Sequence, residues 1–183
     1  MTIEFWVDTA EEYIAITNAQ LAAELTARDV HFLRSDPRAC MTHRLAPSTL
    51  MAALVASNEA RLRLALIPLL LRHPTFTKDA DCARQVLLAS GQVTFKCYYT
   101  AAQLLQQKHQ PRLVALLGFY QPLPDLYGRE LEILPLTSPD NGLHKLAERH
   151  RVLSGRPINW YGTYEHAVQR WLAHTEQRQR WNL

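Results

Sequence analysis

The spacing of apolar side chains along the chain predicts an all-α fold. Between residues 13 and 33, apolar residues recur every three to five positions, which places them on one face of a helix. Residues 48–72 repeat this spacing with leucines, and the second half of that stretch is apolar on nearly every side, as in a buried helix. We therefore predict a single-domain bundle of about six to eight helices around a buried central helix at about residues 48–72.

Proline and glycine residues predict how the other helices are divided. Pro68 lies within the central helix and should kink it, because proline removes a backbone donor and clashes with the preceding turn. Gly91 should separate two helices, and Pro111 suits the first position of another. After the central helix, further helices are expected at residues 79–90, 93–108, 111–118, 140–153 and 163–183.

We expect one domain with four regions. They are an acidic N-terminal helical region (1–47), core helices (48–118), a Pro-rich irregular connection with a short helical turn from Asp125 (119–139) and basic C-terminal helices (140–183). Residues 2–7 are rich in β-prone side chains and predict a short extended segment, which could add to the sheet edge of a partner. A chain of 183 residues buries about 70% of its unfolded surface, so it needs neither disulfides nor a metal to fold.

Charge is distributed unevenly along the chain. Residues 1–60 carry a net charge of −4 and residues 141–183 carry +4, within a total of +3. Arginine outnumbers lysine 16 to 4, which suits carboxylate or phosphate contacts but also follows from GC-rich coding. Three cysteines without a close pair indicate reduced thiols, the N-terminus lacks a signal-peptide pattern, and the longest apolar run has eight residues. We expect a soluble cytoplasmic protein that does not span a membrane.

The most distinctive polar stretch of the central helix is Ser-Asn-Glu-Ala-Arg-Leu-Arg at residues 57–63. Asn58 and Arg61 should share one helix face, and Glu59 and Arg63 have the spacing of an intrahelical ion pair. If this stretch is buried, its charged groups need partners. Two interpretations remain open, namely a buried polar network that fixes the helix register, or the floor of a pocket for an anionic ligand or a docking partner.

A second group of polar residues lies in the irregular connection. Asp125, Arg129 and Glu130 stand within otherwise apolar or irregular sequence. If they converge on one cavity with the polar stretch of the central helix, they form a binding or enzymatic site. The candidate binding residues are Asn58, Glu59, Arg61, Asp125, Arg129 and Glu130.

Other catalytic and metal patterns are incomplete. Cys40 and His43 form half of a zinc pattern, but structural zinc needs four ligands and the sequence offers no second close pair. Cys97 lies among aromatic residues in a predicted buried helix, which favours a packed, inert thiol. The sequence has neither a Gly-rich phosphate loop nor a Gly-x-Ser-x-Gly motif. We therefore predict no catalytic residue, no metal and no cofactor.

The C-terminal helix combines aromatic and basic residues. Trp160, Tyr164 and Trp171 are well placed to pack in the core. Arginines beside exposed aromatic side chains can also anchor a protein interface or hold nucleic acid. The residues proposed for such contacts are Arg170, Arg178, Arg180 and Trp181.

Four stretches of the chain carry a resemblance to a known family. They are residues 60–74 (ARLRLALIPLLLRHP), 98–102 (YYTAA), 123–131 (LPDLYGREL) and, within 159–165, Asn-Trp and Thr-Tyr-Glu. Together they resemble a family of small, uncharacterised, all-helical bacterial proteins that is associated with neighbouring genes for nucleotidyltransferase-fold proteins. The resemblance covers roughly residues 48–175 and leaves out the acidic N-terminal region. It implies an accessory or antitoxin-like role, and no catalytic residue comes with it.

Three functions are therefore considered. The first is a non-catalytic accessory protein that binds a partner protein through a helical face, the partner being a nucleotidyltransferase-fold protein or a second copy in a homodimer. The second is a nucleic-acid-binding protein that uses the basic C-terminal helix and loses affinity steeply with salt. The third is an enzyme with a polar pocket around the central helix.

Overall fold

Helices dominate the three stretches that the computed structural model describes, which are residues 16–31, 44–133 and 138–181. The α-helices are α1 (Asn18–Ala27), α2 (Pro47–Ala56), α3 (Ala60–Leu64), α4 (Leu66–Arg72), α5 (Ala80–Gln85), α6 (Ala89–Lys108), α7 (Gln110–Leu117), α8 (Pro139–Ser154) and α9 (Trp160–Trp181). A 3-10 helix, Pro74–Asp79, precedes α5. The predicted all-α fold is confirmed, whereas the predicted extended segment at residues 2–7 lies outside the described residues.

The core forms where α2, α4, α6, α8 and α9 pack together. Residues 50–55 of α2 and 66–71 of α4 are all buried, which confirms the predicted burial of the central segment. α6 packs against α4 and buries side chains that include Phe95, Tyr99 and Leu105. Each buried leucine or phenylalanine stabilises the folded state by about 1.5–3 kcal/mol, so this apolar cluster positions the helices around it.

The central segment is divided into three helices, so the predicted continuous helix at 48–72 is wrong. At Ser57 the backbone leaves the helical conformation (φ −58°, ψ 140°) and α2 ends. The Ser57 hydroxyl accepts a hydrogen bond from the Glu59 N–H at 3.1 Å and donates one to Asn18 Oδ1 at 3.2 Å. Serine side chains compete with helix hydrogen bonding in this way, because they bond to neighbouring backbone groups.

The helix is interrupted at Ala65, one turn before Pro68, which is where the predicted disruption by Pro68 should fall. α3 ends at Leu64, and α4 begins at Leu66 after a break at Ala65. The N–H groups in the first turn of a helix have no acceptor within that helix. The missing proline N–H therefore removes no intrahelical bond from α4, and Pro68 is accommodated near the helix start.

Gly91 lies inside α6, so the predicted division into helices at 79–90 and 93–108 is wrong. α5 ends at Gln85, and α6 begins at Ala89. A Cβ atom at Gly91 would lie 3.3 Å from the Leu87 Cβ, which is closer than ordinary contact. The position therefore favours glycine because Leu87 packs against it, and the helix continues through it.

The C-terminal helices follow the prediction more closely. α7 carries Pro111 in its first turn, and Gly118 ends it in the left-handed conformation with φ 72°. Both α8 and α9 begin earlier than predicted, at Pro139 and Trp160. These boundaries depend on residues with strong local backbone preferences, which is why they were predictable.

The irregular connection after α7 is held on the core by α6. The Gln106 side chain donates to the Gln121 carbonyl oxygen at 2.9 Å and accepts from the Leu123 N–H at 2.8 Å. The predicted short helical turn from Asp125 is wrong in type, because residues 128–132 form a turn and not a helix. The Asp125 carboxylate accepts a hydrogen bond from the Gly128 N–H at 2.8 Å at the start of this turn. The described part of this connection, up to residue 133, is therefore irregular in backbone but anchored.

Thr17→Ala is expected to lower the free energy of unfolding by about 1 kcal/mol. The Thr17 hydroxyl accepts from the Gln20 N–H at 3.2 Å, and the Gln20 side chain accepts from the Thr17 N–H at 2.8 Å, so the pair caps α1. Urea unfolding of the full chain measures the loss. Thr26→Ala is the matched control, because that hydroxyl donates to the Ala22 carbonyl oxygen within α1, and it should change stability by less than about 0.5 kcal/mol. Equal losses would contradict the capping role.

Candidate functional site

A cleft of about 370 Å³ opens between the end of α2, the first half of α6, the end of α8 and the turn before α9. We call it the α6–α8 cleft. Its volume lies within the range of about 300–1,000 Å³ that is typical of ligand sites. Its apolar lining consists chiefly of Val55, Leu87, Leu88, Val93, Leu153 and Trp160.

Stacked rings form one part of the cleft lining. His150 of α8 lies against Trp160 with the ring centroids 3.7 Å apart and the ring planes at 18°. His150 Nδ1 and the Tyr164 hydroxyl form a hydrogen bond of 2.6 Å. Burial, followed by the charge of Arg156, lowers the pKa of His150 to about 4, so the imidazole is neutral at pH 7. This part of the cleft is therefore a well-packed, uncharged aromatic surface.

Two guanidinium groups give the cleft a positive charge. Arg63 of α3 donates to the Ser57 carbonyl oxygen at 2.7 Å and lies beside Tyr98. Arg156 lies in the exposed turn before α9, close enough for its charge to act on both Tyr98 and His150. Among the described residues that line the cleft there is no Asp or Glu. The described lining therefore attracts anions.

The indole N–H of Trp160 lacks a hydrogen-bond partner among the described residues, although it is buried. Buried donors in folded proteins are nearly always paired, and an unpaired one costs about 1–3 kcal/mol. Trp160 belongs to the lining of the cleft. The indole nitrogen itself is inaccessible to solvent, so Trp160 contributes ring surface to the lining and not its N–H.

Large apolar side chains are exposed at the mouth of the cleft. Leu88 is 84% exposed and Leu153 is 40% exposed, and Val152 beside Leu153 is 67% exposed. Single exposed apolar side chains are ordinary, but a group of them next to a cleft is typical of an interaction surface. The α6–α8 cleft thus combines positive charge with an apolar mouth.

The polar stretch after α2 is largely exposed, so the predicted buried polar network is wrong. Asn58, Glu59 and Arg61 are exposed, and Asn58 lies at the rim of the α6–α8 cleft. Glu59 accepts a hydrogen bond from Asn18 Nδ2 at 2.8 Å. Arg63 donates to the Ser57 carbonyl oxygen. The break after α2 places Glu59 at the cap of α3 and changes the helical geometry that the predicted Glu59–Arg63 pair assumed.

The structure does not bring the second group of predicted binding residues to this cleft. Asp125 lines a different cavity, between α6 and the start of α8. Glu130 forms an ion pair with Lys96, and Arg129 is exposed. The predicted enzymatic pocket required Asp125, Arg129 and Glu130 to lie beside the polar stretch at residues 57–63. Within the described part of the chain they do not.

The residues predicted to be packed in the core are packed. Trp160, Tyr164 and Trp171 are 6%, 0% and 1% exposed. Cys97 is fully buried, and burial raises its pKa to about 12. It remains a thiol at neutral pH, and a thiol is a poor nucleophile.

One of the basic residues of α9 forms an ion pair with a distant part of the chain. Arg178 donates to Asp29 at 3.1 Å, which ties α9 to the turn after α1. Arg170 and Arg180 are exposed, and so is Trp181 at 79%. Arg178, which belongs to the four proposed nucleic-acid or partner contacts, is thus engaged within the protein.

Within residues 16–31, 44–133 and 138–181, no group of three His, Cys, Asp or Glu side chains is placed to hold a metal ion. Cys40 and His43 of the half zinc pattern lie outside those ranges. The described helices include none that is both long and apolar enough to cross a bilayer.

Sequence reasoning missed most of the residues that form the α6–α8 cleft. Tyr98, His150 and Arg156 belong to α6, α8 and the turn before α9, and no local pattern connects them. The polar stretch after α2, which ends at Arg63, did indicate part of the cleft. A pocket floor was one of the two interpretations of that stretch. This stretch forms one edge of the cleft, and the sequence pattern did not indicate the walls formed by α6, α8 and the turn before α9.

Comparison with known proteins assigns the chain to no family. No protein-family model matches the chain, and neither a curated protein nor a solved structure does.

Proposed function

We propose that the protein is a non-catalytic binding module that holds an acidic, partly apolar segment of a partner protein in the α6–α8 cleft. One observation carries the proposal. Arg63 and Arg156 join apolar walls in a cleft whose described lining has no carboxylate. A ligand with an anionic group and an apolar side chain would bind to the arginines through the first and to the apolar walls through the second. The accessory or antitoxin-like role implied by the family resemblance is a role of this kind.

The ionisable groups of the cleft favour binding over catalysis. General acid–base catalysis works best when the pKa of the group lies near the working pH. The pKa of His150 is about 4, and its Nδ1 is engaged by Tyr164. Burial raises the pKa of Tyr98, which keeps this hydroxyl neutral. The groups that stay charged are guanidiniums, and these bind and orient anions.

The apolar mouth favours a protein partner over nucleic acid. Protein interfaces combine exposed apolar anchors with arginine, as Leu88 and Arg156 do here. Nucleic-acid binding usually needs an extended basic surface, and Arg178 of α9 is engaged by Asp29. A nucleotidyltransferase-fold protein or a second copy of this chain is therefore a better-supported partner than nucleic acid.

Arg156→Gln is expected to weaken the binding of an acidic, apolar peptide about tenfold, because one charge-assisted hydrogen bond contributes about 1.5 kcal/mol. The probe is a fluorophore-labelled peptide of alternating Glu and Leu residues, and fluorescence anisotropy with the full chain measures its Kd. Arg129→Gln is the matched control, since it removes the same charge from an exposed position outside the cleft lining. This control should bind like the wild type.

Two outcomes would count against the proposal. Equal affinity of Arg156→Gln and the wild type would overturn the assignment of the cleft as the binding site. Binding of 8-anilinonaphthalene-1-sulfonate, a small apolar sulfonate, without any binding of the peptide would overturn the protein-partner part. In that case the ligand would be a small organic anion.

A further inference from the structure

We infer that the anionic group held in the α6–α8 cleft is a phosphate monoester on a side chain of the partner segment. The inference rests on the proposed function, because it names the chemistry of the ligand in the same cleft. Three features of the described lining support it. They are the N-terminus of a helix without a side-chain cap, two guanidinium groups that no lining carboxylate neutralises, and a buried tyrosine hydroxyl.

The N-terminus of α6 forms part of the cleft lining. Leu88 occupies the N-cap position, no side-chain hydrogen bond caps the helix there, and its first turn has no acidic residue. The first N–H groups of a helix have no acceptor within the helix and carry the positive end of its dipole. Because Leu88, Ser90 and Gly91 line the cleft, these donors are available to an anion bound in it. Helix N-termini of this kind suit phosphate groups.

Arg63 and Arg156 add two positive charges to the same opening. Burial raises the pKa of Tyr98 and the charges of both arginines oppose this, so both guanidiniums lie near the Tyr98 hydroxyl. The described lining has no Asp or Glu to neutralise them. A carboxylate brings one negative charge, whereas a phosphate monoester brings about −1.5 to −2 at pH 7 and three acceptor oxygens. A phosphate therefore matches both arginines and still has an oxygen for the N-terminus of α6.

The Tyr98 hydroxyl is a further donor for the same anion. Tyr98 is 2% exposed and lines the cleft, as do Gly91 and Thr94 on the same face of α6. A guanidinium group only donates, so the Tyr98 oxygen accepts from Arg63 and its own hydrogen is left to donate. No residue in the described ranges of the chain accepts that hydrogen. Buried hydroxyl groups are nearly always paired, and a phosphate oxygen provides the acceptor.

A phosphoserine peptide is expected to bind about tenfold more tightly than its glutamate counterpart, because phosphate forms more charge-assisted hydrogen bonds. The probes are two fluorophore-labelled peptides of Glu and Leu residues that differ only at the central position, and fluorescence anisotropy with the full chain measures each Kd. In Arg156→Gln the ratio of the two Kd values should fall below about threefold, because the second charge of the phosphate loses its partner. Arg129→Gln, outside the cleft lining, is the matched control and should keep the ratio.

Ser90→Asp is expected to weaken the binding of the phosphoserine peptide at least about tenfold, because its carboxylate takes the anion position at the N-terminus of α6 and repels the phosphate. Ser90→Asn is the matched control, since it has nearly the same shape without the charge, and it should bind within about twofold of the wild type. An acidic residue in the first turn stabilises a helix, so Ser90→Asp keeps the fold, which circular dichroism and urea unfolding verify.

The outcomes separate this inference from the proposed function. Equal binding of the phosphoserine and glutamate peptides, with both weakened in Arg156→Gln, would overturn the phosphate while the proposed function stands. If neither peptide binds, both are overturned. Tight binding of the phosphoserine peptide that Ser90→Asp leaves intact would overturn the position of the phosphate at α6. If free phosphoserine competes as well as the unlabelled phosphoserine peptide, the ligand is a small phosphate ester, and its attachment to a partner segment is overturned.

Discussion

Replacing Arg28 with Ala is expected to lower the free energy of unfolding by about 3–5 kcal/mol. Arg28 follows α1 and forms an ion pair with Glu24, and the two side chains are only 7% and 1% exposed. Arg28 Nη2 also donates to the Leu45 carbonyl oxygen at 2.5 Å. The variant leaves the Glu24 carboxylate buried without its cation, and this is the source of the cost. Urea unfolding of the full chain, followed by circular dichroism, measures the loss.

Two further variants test whether the orphaned Glu24 charge sets the cost. Glu24→Leu combined with Arg28→Met removes both charges but keeps the apolar volume, so it should destabilise less than Arg28→Ala. Arg84→Ala breaks the more exposed Arg84–Asp81 pair and should cost no more than about 1 kcal/mol. A loss in the double variant as large as that in Arg28→Ala would show that the lost polar contacts of Arg28 with Glu24 and Leu45, and not the orphaned Glu24 charge, set the cost.

Lowering the pH from 7 to 4 is expected to remove about 3 kcal/mol of stability through His150 alone. Burial lowers the pKa of His150 to about 4 in the folded chain, whereas the unfolded value is about 6.5. Between these two values the unfolded chain binds a proton that the folded chain does not. The contribution of His150 is therefore fully present above pH 6.5 and is lost as the pH falls toward 4.

His150→Gln should reduce this pH dependence by about 3 kcal/mol, because glutamine does not titrate. Urea unfolding at pH 7 and at pH 4 measures the difference for each protein. His166→Gln, at an exposed position, is the control and should lose as much stability as the wild type. Burial also lowers the pKa of His73, so the comparison between variants isolates His150. An unchanged pH dependence in His150→Gln would contradict the neutral, buried imidazole.

The candidate site was only partly predictable, and the reason lies in the separation of its residues along the chain. Arg63 stands in a polar stretch that is conspicuous in an apolar neighbourhood, so its importance could be inferred. Tyr98 and His150 follow ordinary helical patterns and gave no signal of their own. They come together with Arg156 only because α6, α8 and the turn before α9 pack around one opening.

The all-α fold and the burial of residues 66–71 were determined by the sequence alone, because an apolar stretch of that length is stable only when it is removed from water. Tertiary contacts determined the backbone at positions where a local preference of the residue competes with contacts to other residues. The helix breaks at Ser57, where the hydroxyl also bonds to Asn18, and it continues through Gly91, where Leu87 packs closely. The formation of the cleft also depends on tertiary contacts, because its lining comes from several helices. Apolar periodicity records which side chains avoid water, whereas contacts between helices determine which distant charged groups share one opening.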